Sequence, residues 1–209
     1  MTRFKGNPSR WLIIGLVLVA AILIGAVALA IKPGQSGSIS DVPSTRTLGP
    51  SAAPVTVTEY GDFGCITCRA WHYQDNINKI HDAYGTQVHF VWRDLPVITA
   101  DSPKAAEAGW CAADQDKFWE FHDLVYAKFQ IDLDSLKSYA VQLGLDTARF
   151  NQCLDSGLHR ADVDRDWQIA EAHGFRATPS FTVNDRPFAG PITLSQLQSL
   201  IDPILKSGN

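Results

Sequence analysis

The chain has 209 residues, of which 45% are hydrophobic, and its 22 acidic and 18 basic residues give a formal net charge of −4. No run of basic residues is longer than two, so the composition gives no support for nucleic-acid binding. About 155 residues remain after an N-terminal segment and a linker, which is enough for one ordinary domain with a sizeable core.

An uncharged segment, Trp11–Ile31, is long enough to cross a bilayer as one helix. Arg3, Lys5 and Arg10 precede it, and this excess of positive charge predicts that residues 1–10 are cytoplasmic. The rest of the chain is then extracytoplasmic and held in the cell membrane by a single-pass anchor. A cleaved signal peptide is the alternative, although the apolar region of a signal peptide is usually shorter.

A flexible linker is predicted over residues 32–53, which are rich in Pro, Gly, Ser and Thr and lack apolar periodicity. The folded domain then occupies residues 54–209. Its first strand is predicted at Val55–Tyr60, and a helix with an apolar stripe at Ala70–Tyr84. A buried strand at Val88–Trp92 follows, and the connection is long enough to make the two strands parallel.

Helical periodicity dominates the next stretch, at about residues 97–174. Five helices are predicted there: Ala105–Ala113, Phe118–Phe129, Leu133–Leu143, Phe150–Leu154 and Leu158–His173. A sheet interrupted by such a block is typical of an α/β fold with an inserted helical subdomain.

A hairpin and a final helix are predicted at the C-terminal end. The first strand of the hairpin is Ser180–Val183, and a tight turn leads to a short return strand over residues 186–188. Thr193 and Gln196 form a capping box for the last helix. Pro203 is expected to kink or end that helix.

Two cysteines, Cys65 and Cys68, lie where the first predicted strand ends and a helix begins. If Cys65 opens that helix, its sulfur faces unpaired N–H groups and the positive end of the helix dipole, which favour the thiolate. Such a pair is typical of thiol–disulfide exchange. A structural disulfide and a zinc site are the alternatives. Zinc needs two more ligands, and His72, His81 and His122 show no ligand pairing, so no metal is expected.

Three segments carry a further signal: Glu59–Cys68, Phe90–Pro96 and Gly174–Phe181. They resemble the DsbA-like disulfide oxidoreductases of thioredoxin fold, and most closely their membrane-anchored or secreted, BdbD-like branch. The resemblance covers roughly residues 50–205. It implies a thioredoxin-like α/β fold with an inserted helical subdomain, here preceded by the predicted N-terminal transmembrane helix.

The resemblance also implies roles for individual residues. Cys65 would be the nucleophile, and Cys68 the buried resolving cysteine. Thr178 would pair its backbone with an extended substrate peptide, and Pro179 would form a cis peptide bond that faces the disulfide. Glu59 matches a buried acid that moves protons to and from Cys68, and a surface carboxylate is the alternative reading of that residue.

The two residues between the cysteines depart from DsbA itself. DsbA has a proline and a histidine there, whereas this chain has Ile66 and Thr67. The imidazole said to help stabilise the thiolate is therefore missing, and the strength of the pair as an oxidant stays open.

The remaining cysteines, Cys111 and Cys153, lie on different predicted helices. If Cys65 pairs with Cys68, these two can pair only with each other, and an exported chain favours that structural disulfide. Closing the 42-residue loop contributes roughly 4 kcal/mol in the chain-entropy model. Two buried free thiols are the alternative.

The resulting hypothesis is an extracytoplasmic thiol–disulfide oxidoreductase that forms disulfides in unfolded exported proteins through Cys65 and Cys68. By analogy with the family, it is expected to need no cofactor, to be monomeric and to be reoxidised by a membrane partner of the DsbB or VKOR type. A reductase or isomerase, and a non-catalytic exported binding module on a thioredoxin scaffold, stay open as alternatives.

Overall fold

Five strands form one mixed sheet in the computed structural model, which describes residues 42–207. In chain order they are β1 (Thr47–Leu48), β2 (Val55–Gly61), β3 (Val88–Asp94), β4 (Ser180–Val183) and β5 (Arg186–Phe188). Across the sheet the order is β1, β3, β2, β4, β5. Strands β2 and β3 are parallel, as predicted, and the other neighbours are antiparallel.

Eight α-helices accompany the sheet within residues 42–207. They are α1 (Ile66–Tyr73), α2 (Asn76–Tyr84), α3 (Ser102–Ala113), α4 (Phe118–Lys128), α5 (Leu133–Gln142), α6 (Thr147–Ser156), α7 (Arg160–Ala172) and α8 (Leu194–Ser207). Helices α1, α2 and α8 bury apolar side chains with β2, β3 and β4 in one core cluster. Helices α3 to α7 form the predicted inserted block between β3 and β4. Side chains of α3, α4, α5 and α6 form a second apolar cluster, which also includes Phe63, Cys65, Cys68 and Trp92.

The prediction of a flexible linker over residues 32–53 is wrong for the part that the structure describes. Residues Ser44–Arg46 form a 3₁₀ turn, and β1 then pairs with β3 in the sheet. The Arg46 side chain is fully buried, and its guanidinium donates to Asp94 at 2.7 Å and to Asp166 at 3.4 Å. Because a buried charge needs such partners, this segment is fixed to the domain by ion pairs that local composition does not reveal.

The single helix predicted over Ala70–Tyr84 is in fact two. Helix α1 ends at Tyr73, and Asp75 adopts a left-handed backbone with φ 59° before α2 begins. The Asn76 side chain donates to the carbonyl oxygen of Trp71 at 2.8 Å, which satisfies one of the acceptors that α1 leaves free at its end. The break lets α1 bury Cys68 and Trp71, whereas Ala70 and Tyr73 of the predicted stripe are exposed.

The capping box at the start of α8 is confirmed, since the Thr193 hydroxyl accepts the Gln196 N–H and the Gln196 side chain accepts the Thr193 N–H. Pro203 does not end this helix, which continues to Ser207. Proline lacks the N–H that would otherwise donate to the carbonyl oxygen of Ser199, four residues earlier. Both Pro203 and Ser199 are exposed, so water can satisfy the freed carbonyl oxygen.

The predicted anchor Trp11–Ile31 and the segment predicted to be cytoplasmic, residues 1–10, lie outside the described residues. Among the helices of residues 42–207, none combines the length and the apolar character needed to cross a membrane.

Strand register brings three chain segments together at one edge of the sheet. Tyr60 near the end of β2 pairs with Ser180 at the start of β4, and Gly61 pairs with Asp94 at the end of β3. Gly61 is required there, since a β-carbon would lie 2.1 Å from the buried indole of Trp92. The loop after β2, the loop before β4 and the loop after β3 therefore meet, and the cysteine pair lies at this meeting point.

Candidate functional site

Cys65 occupies the N-cap position of α1, after the loop that follows β2. Its sulfur accepts the N–H of Cys68 at 3.3 Å, which is the capping interaction expected of an oxygen side chain at that position. A tight turn, in which the Cys65 N–H donates to the carbonyl oxygen of Asp62 at 3.0 Å, fixes the approach to the helix. Cys65 is only 3% exposed, while Ile66 beside it is 60% exposed.

The surroundings of Cys65 lower its pKa from 9.0 to about 6. The largest contribution is the hydrogen bond from the Cys68 thiol, and the Thr178 hydroxyl and the N–H groups of Cys68 and Thr67 add to it. Burial acts in the opposite direction but is outweighed. Because the thiolate is the nucleophile, Cys65 is largely in its reactive form at neutral pH.

Cys68 has the opposite character. It is fully buried, and burial raises its pKa far above the ordinary value of a thiol. Its hydrogen bond to Cys65 and the negative charges of Glu59 and Cys65 raise the pKa further. Neither cysteine forms a disulfide in this structure. When Cys65 ionises, the Cys68 thiol is the donor and the Cys65 thiolate the acceptor of one hydrogen bond.

The loop before β4 faces the sulfur of Cys65, and its Thr178–Pro179 peptide bond is cis. While Cys65 is protonated, its thiol donates to the carbonyl oxygen of Thr178, which lies 3.3 Å from the sulfur. The Thr178 hydroxyl is buried and has no hydrogen-bond partner among residues 42–207 while Cys65 is a thiol, so it is available to the thiolate. Pro179 has no N–H and offers the sulfur no competing donor.

Glu59 lies in β2, between Trp92 of β3 and Phe181 of β4, and is 2% exposed. Burial raises the pKa of Glu59 to about 8, and the negative charge of Cys65 adds to the shift. The carboxyl group is therefore mostly protonated at neutral pH. This burial excludes the alternative that Glu59 is a surface carboxylate.

Asp62, in the turn just before Cys65, is a site residue that sequence reasoning does not identify. Its buried carboxylate accepts the N–H groups of Gly64 at 2.7 Å and of Val97 and Ile98 at 2.8 Å each. Burial raises the pKa of Asp62, although hydrogen bonds from Ser102 and from these N–H groups oppose the shift. The residue ties the cysteine loop to the loop after β3, a link over 35 positions that only the fold discloses.

The other two cysteines form a disulfide with an S–S distance of 2.00 Å and a Cα–Cα distance of 5.9 Å. Cys111 lies on α3 and Cys153 on α6, and both are buried. The bond therefore joins two helices of the inserted block and leaves Cys65 and Cys68 as the redox-competent pair.

The expectation that the histidines show no ligand pairing is wrong for His72 and His122. Their ring centroids lie 4.8 Å apart, and Asp123 contacts both rings. His72 is on α1 and His122 on α4, 50 positions along the chain, so sequence spacing gives no sign of the cluster. His81 lies apart from it on α2, with an exposed side chain.

A family model described as thioredoxin matches residues 41–203. Among solved structures, a thioredoxin-like oxidoreductase from Silicibacter pomeroyi superposes with a TM-score of 0.69 at 29% identity, covering 77% of this chain and 91% of that one. Oxidised BdbD from Bacillus subtilis gives a TM-score of 0.69 at 25% identity, covering 77% and 92%. The predicted thioredoxin-like α/β fold with a helical insertion is therefore confirmed.

Curated relatives include longer proteins. The Na⁺/H⁺ antiporter NhaA 3 of Salinispora tropica is 35% identical over 156 residues, which are 73% of this chain and 24% of that protein. The Na⁺/H⁺ antiporter NhaA of Herminiimonas arsenicoxydans is 36% identical over 143 residues, 68% of this chain and 22% of that protein. The chain thus spans about a quarter of the length of these relatives.

Proposed function

The chain belongs to the thioredoxin family as a DsbA-like thiol–disulfide oxidoreductase, and we propose that it forms disulfide bonds in exported proteins. The observation that carries the proposal is the contrast within the cysteine pair. Cys65 is stabilised as a thiolate at the start of α1, while Cys68 is buried and held as a thiol. Stabilising the reduced state in this way makes the corresponding disulfide a better oxidant.

The reaction starts from the oxidised Cys65–Cys68 pair. A substrate thiolate attacks the Cys65 sulfur, the bond to Cys68 breaks, and Cys68 leaves with the electron pair and takes up a proton. A second substrate thiolate then attacks the substrate sulfur of the mixed disulfide, and Cys65 leaves as a thiolate. The substrate loses two electrons and two protons overall, and the pair gains the electrons.

Each neighbouring group has a task in these steps. The donors around Cys65 stabilise it as the leaving group of the second step, which is the step that frees the product. Cys68 needs a proton in the first step because its thiolate is strongly disfavoured. Glu59 holds a proton at neutral pH and lies near both sulfurs, so it is the proposed donor. Thr178 is proposed to hold the substrate backbone beside Cys65.

The location and the partners are part of the same proposal. Trp11–Ile31 anchors the chain, residues 1–10 are cytoplasmic, and the catalytic domain lies on the extracytoplasmic side as a monomer. The Cys111–Cys153 disulfide supports an oxidising compartment, since such bonds rarely persist in a reducing cytosol. A membrane partner of the DsbB or VKOR type would accept the two electrons and restore the Cys65–Cys68 disulfide.

Matched single variants test the assignment of roles. A reduced peptide with two cysteines is mixed with the oxidised protein, and product release is followed by mass spectrometry under non-reducing conditions. Wild type should oxidise the peptide. In the presence of an oxidised peptide, Cys68→Ser should accumulate a mixed disulfide at Cys65, and Cys65→Ser should form none. The assignment fails if Cys65→Ser traps the peptide while Cys68→Ser does not. If the wild type leaves the reduced peptide unoxidised and instead reduces the oxidised peptide, the proposed direction of thiol–disulfide exchange is wrong.

The location has its own test. A membrane-impermeant maleimide is added to spheroplasts that express the reduced chain, and labelling of Cys65 is compared with labelling after lysis. Equal labelling before and after lysis is expected for an extracytoplasmic domain. Labelling that requires lysis would place the domain inside and contradict export.

A further inference from the structure

A cluster of three metal-binding side chains lies outside the cysteine site, between α1 and α4. His72 comes from α1, one turn after Cys68, and His122 and Asp123 come from α4. The Asp123 carboxylate oxygen Oδ1 is 2.9 Å from Nδ1 of His122 and 3.4 Å from Nε2 of His72. One potential ligand atom from each residue lies within 4.8 Å of those of the other two.

The contacts of His122 leave either neutral tautomer poorly satisfied. With the proton on Nδ1, the ring donates to Asp123, but Nε2 is a buried acceptor with no partner among residues 42–207. With the proton on Nε2, the lone pair of Nδ1 faces a carboxylate oxygen at 2.9 Å. A buried polar atom without a partner costs free energy. Without a bound ion, each neutral tautomer of His122 therefore has either an unpaired nitrogen or a lone pair that faces a carboxylate oxygen.

A cation held by Nδ1 of His122 removes this conflict. The lone pair of Nδ1 then binds the metal, and the carboxylate of Asp123 binds it as well. The proton stays on Nε2, and the His122 ring packs edge to face against Trp92 and Tyr126, with 4.7 and 4.8 Å between ring centroids. An N–H can point at an aromatic face, whereas a lone pair there is repelled.

The cluster is reachable from solvent. The His122 side chain is 1% exposed, but those of His72 and Asp123 are 23% and 61% exposed. His72 and Asp123 line a cleft of about 170 Å³, together with Asp75 and Trp119. An ion could therefore enter from the cleft and keep a water molecule as its fourth ligand.

We propose that His72, His122 and Asp123 form a Zn²⁺ site that links α1, the helix carrying the redox pair, to α4 of the helical block. Two imidazoles and one carboxylate, with one open position, are a donor set that Zn²⁺ accepts in tetrahedral geometry. Ca²⁺ prefers six or more oxygen ligands, which this site does not offer. The site does not use the sulfurs of Cys65 and Cys68, so it can be occupied in either redox state.

Zinc binding is measured on the full chain, purified without a histidine tag and with Cys65 and Cys68 oxidised so that their thiolates cannot bind the metal. Titration calorimetry with ZnCl₂ should show one ion per chain. His72→Ala and Asp123→Asn, at partly exposed positions, should each weaken the affinity by at least about 100-fold, more than loss of an outer contact costs. His81→Ala, at an exposed histidine outside the cluster, is the matched control and should bind like wild type.

Thermal unfolding and absorption spectroscopy complete the test. Zn²⁺ should raise the thermal midpoint of the wild type and of His81→Ala but not of His72→Ala, and CaCl₂ at the same concentration should leave all three unchanged. Co²⁺ in place of Zn²⁺ should give the visible bands of a four-coordinate ion. The proposal is overturned if the oxidised wild type binds no zinc, or if His72→Ala and Asp123→Asn bind it as tightly as His81→Ala does.

Discussion

The amide nitrogen of Cys68 lies 3.3 Å from the sulfur of Cys65, so the two redox partners are also donor and acceptor of one hydrogen bond. The Cys68 thiol makes the largest contribution to the lowered pKa of Cys65. The hydrogen bond from the Cys68 thiol exists only while the pair is reduced, since a disulfide has no thiol to donate. This bond therefore stabilises the reduced state relative to the disulfide, which favours oxidation of the substrate.

Cys68→Ala tests this contact. Loss of the thiol donor should raise the pKa of Cys65 from about 6 towards that of an ordinary thiol. The pKa is read from the ultraviolet absorbance of the thiolate as a function of pH. Cys68→Ser is the matched control, because its hydroxyl can still donate and should keep the pKa closer to that of the wild type. A value in Cys68→Ala that stays near that of the wild type contradicts the assignment.

Glu59→Gln should stabilise the protein in a pH-dependent way. Burial raises the pKa of Glu59 from 4.5 to about 8, so between these values the unfolded chain releases a proton that the folded protein keeps. The free energy of unfolding of the wild type therefore falls as pH rises through this window. Relative to wild type, Glu59→Gln should gain about 3 kcal/mol at pH 7 and almost nothing below pH 4.

Denaturant titrations at several pH values measure this difference. Glu171→Gln, at a position where the carboxylate is 40% exposed, is the control and should change stability by less than about 0.5 kcal/mol at every pH. A constant difference between Glu59→Gln and wild type from pH 4 to pH 8 would show that the buried acid does not hold its proton as described.

Local chemistry in the sequence was enough to predict the entry to the site. The strand before Cys65, the helix after it and the capping box at Thr193 depend on neighbours a few positions away, and all three are present. Arg46 was missed because its partners, Asp94 and Asp166, lie 48 and 120 positions along the chain. A charged residue in a segment rich in Pro and Ser shows no sign of burial until those partners are known.

The same limit explains the missed contacts around the site. The carboxylate of Asp62 reaches Val97, 35 positions on, and His72 meets His122 only because α4 folds back onto α1. The break at Asp75 had a weak local signal in the polar run Gln74-Asp75-Asn76, but the apolar spacing of the flanking residues favoured one helix. Apolar periodicity predicts which face of an element is buried, whereas the polar side chains that tie one element to another depend on contacts between distant parts of the chain.

Replacing both Cys111 and Cys153 by serine should destabilise the domain without abolishing exchange. The bond closes a loop of 42 positions within the helical block, so its loss should cost up to roughly 4 kcal/mol in the chain-entropy model. Thermal unfolding measures the loss, and oxidation of a dithiol peptide at a temperature below the new midpoint measures the chemistry. A double variant that is folded but inactive would contradict the separation of the two cysteine pairs.

Thr178→Val tests the hydroxyl that faces the cysteine pair. Valine has nearly the same shape but cannot donate, so the pKa of Cys65 should rise, by less than in Cys68→Ala because the hydroxyl ranks below the Cys68 thiol among the causes. Thr67→Val is the control, since Thr67 contributes through its backbone N–H and valine keeps that group. Equal pKa values of Cys65 in Thr178→Val and in wild type would show that the Thr178 hydroxyl does not stabilise the thiolate.

The equilibrium reduction potential of the Cys65–Cys68 pair, measured against glutathione, tests the proposed oxidase function most directly. Thioredoxin combines a nucleophile pKa of about 7 with about −270 mV, and DsbA a pKa of about 3.5 with about −120 mV. The Cys65 pKa of about 6 lies between these two, so the proposal predicts a potential clearly less negative than that of thioredoxin. A potential at or below about −270 mV would make the pair a reductant like thioredoxin and contradict the proposal.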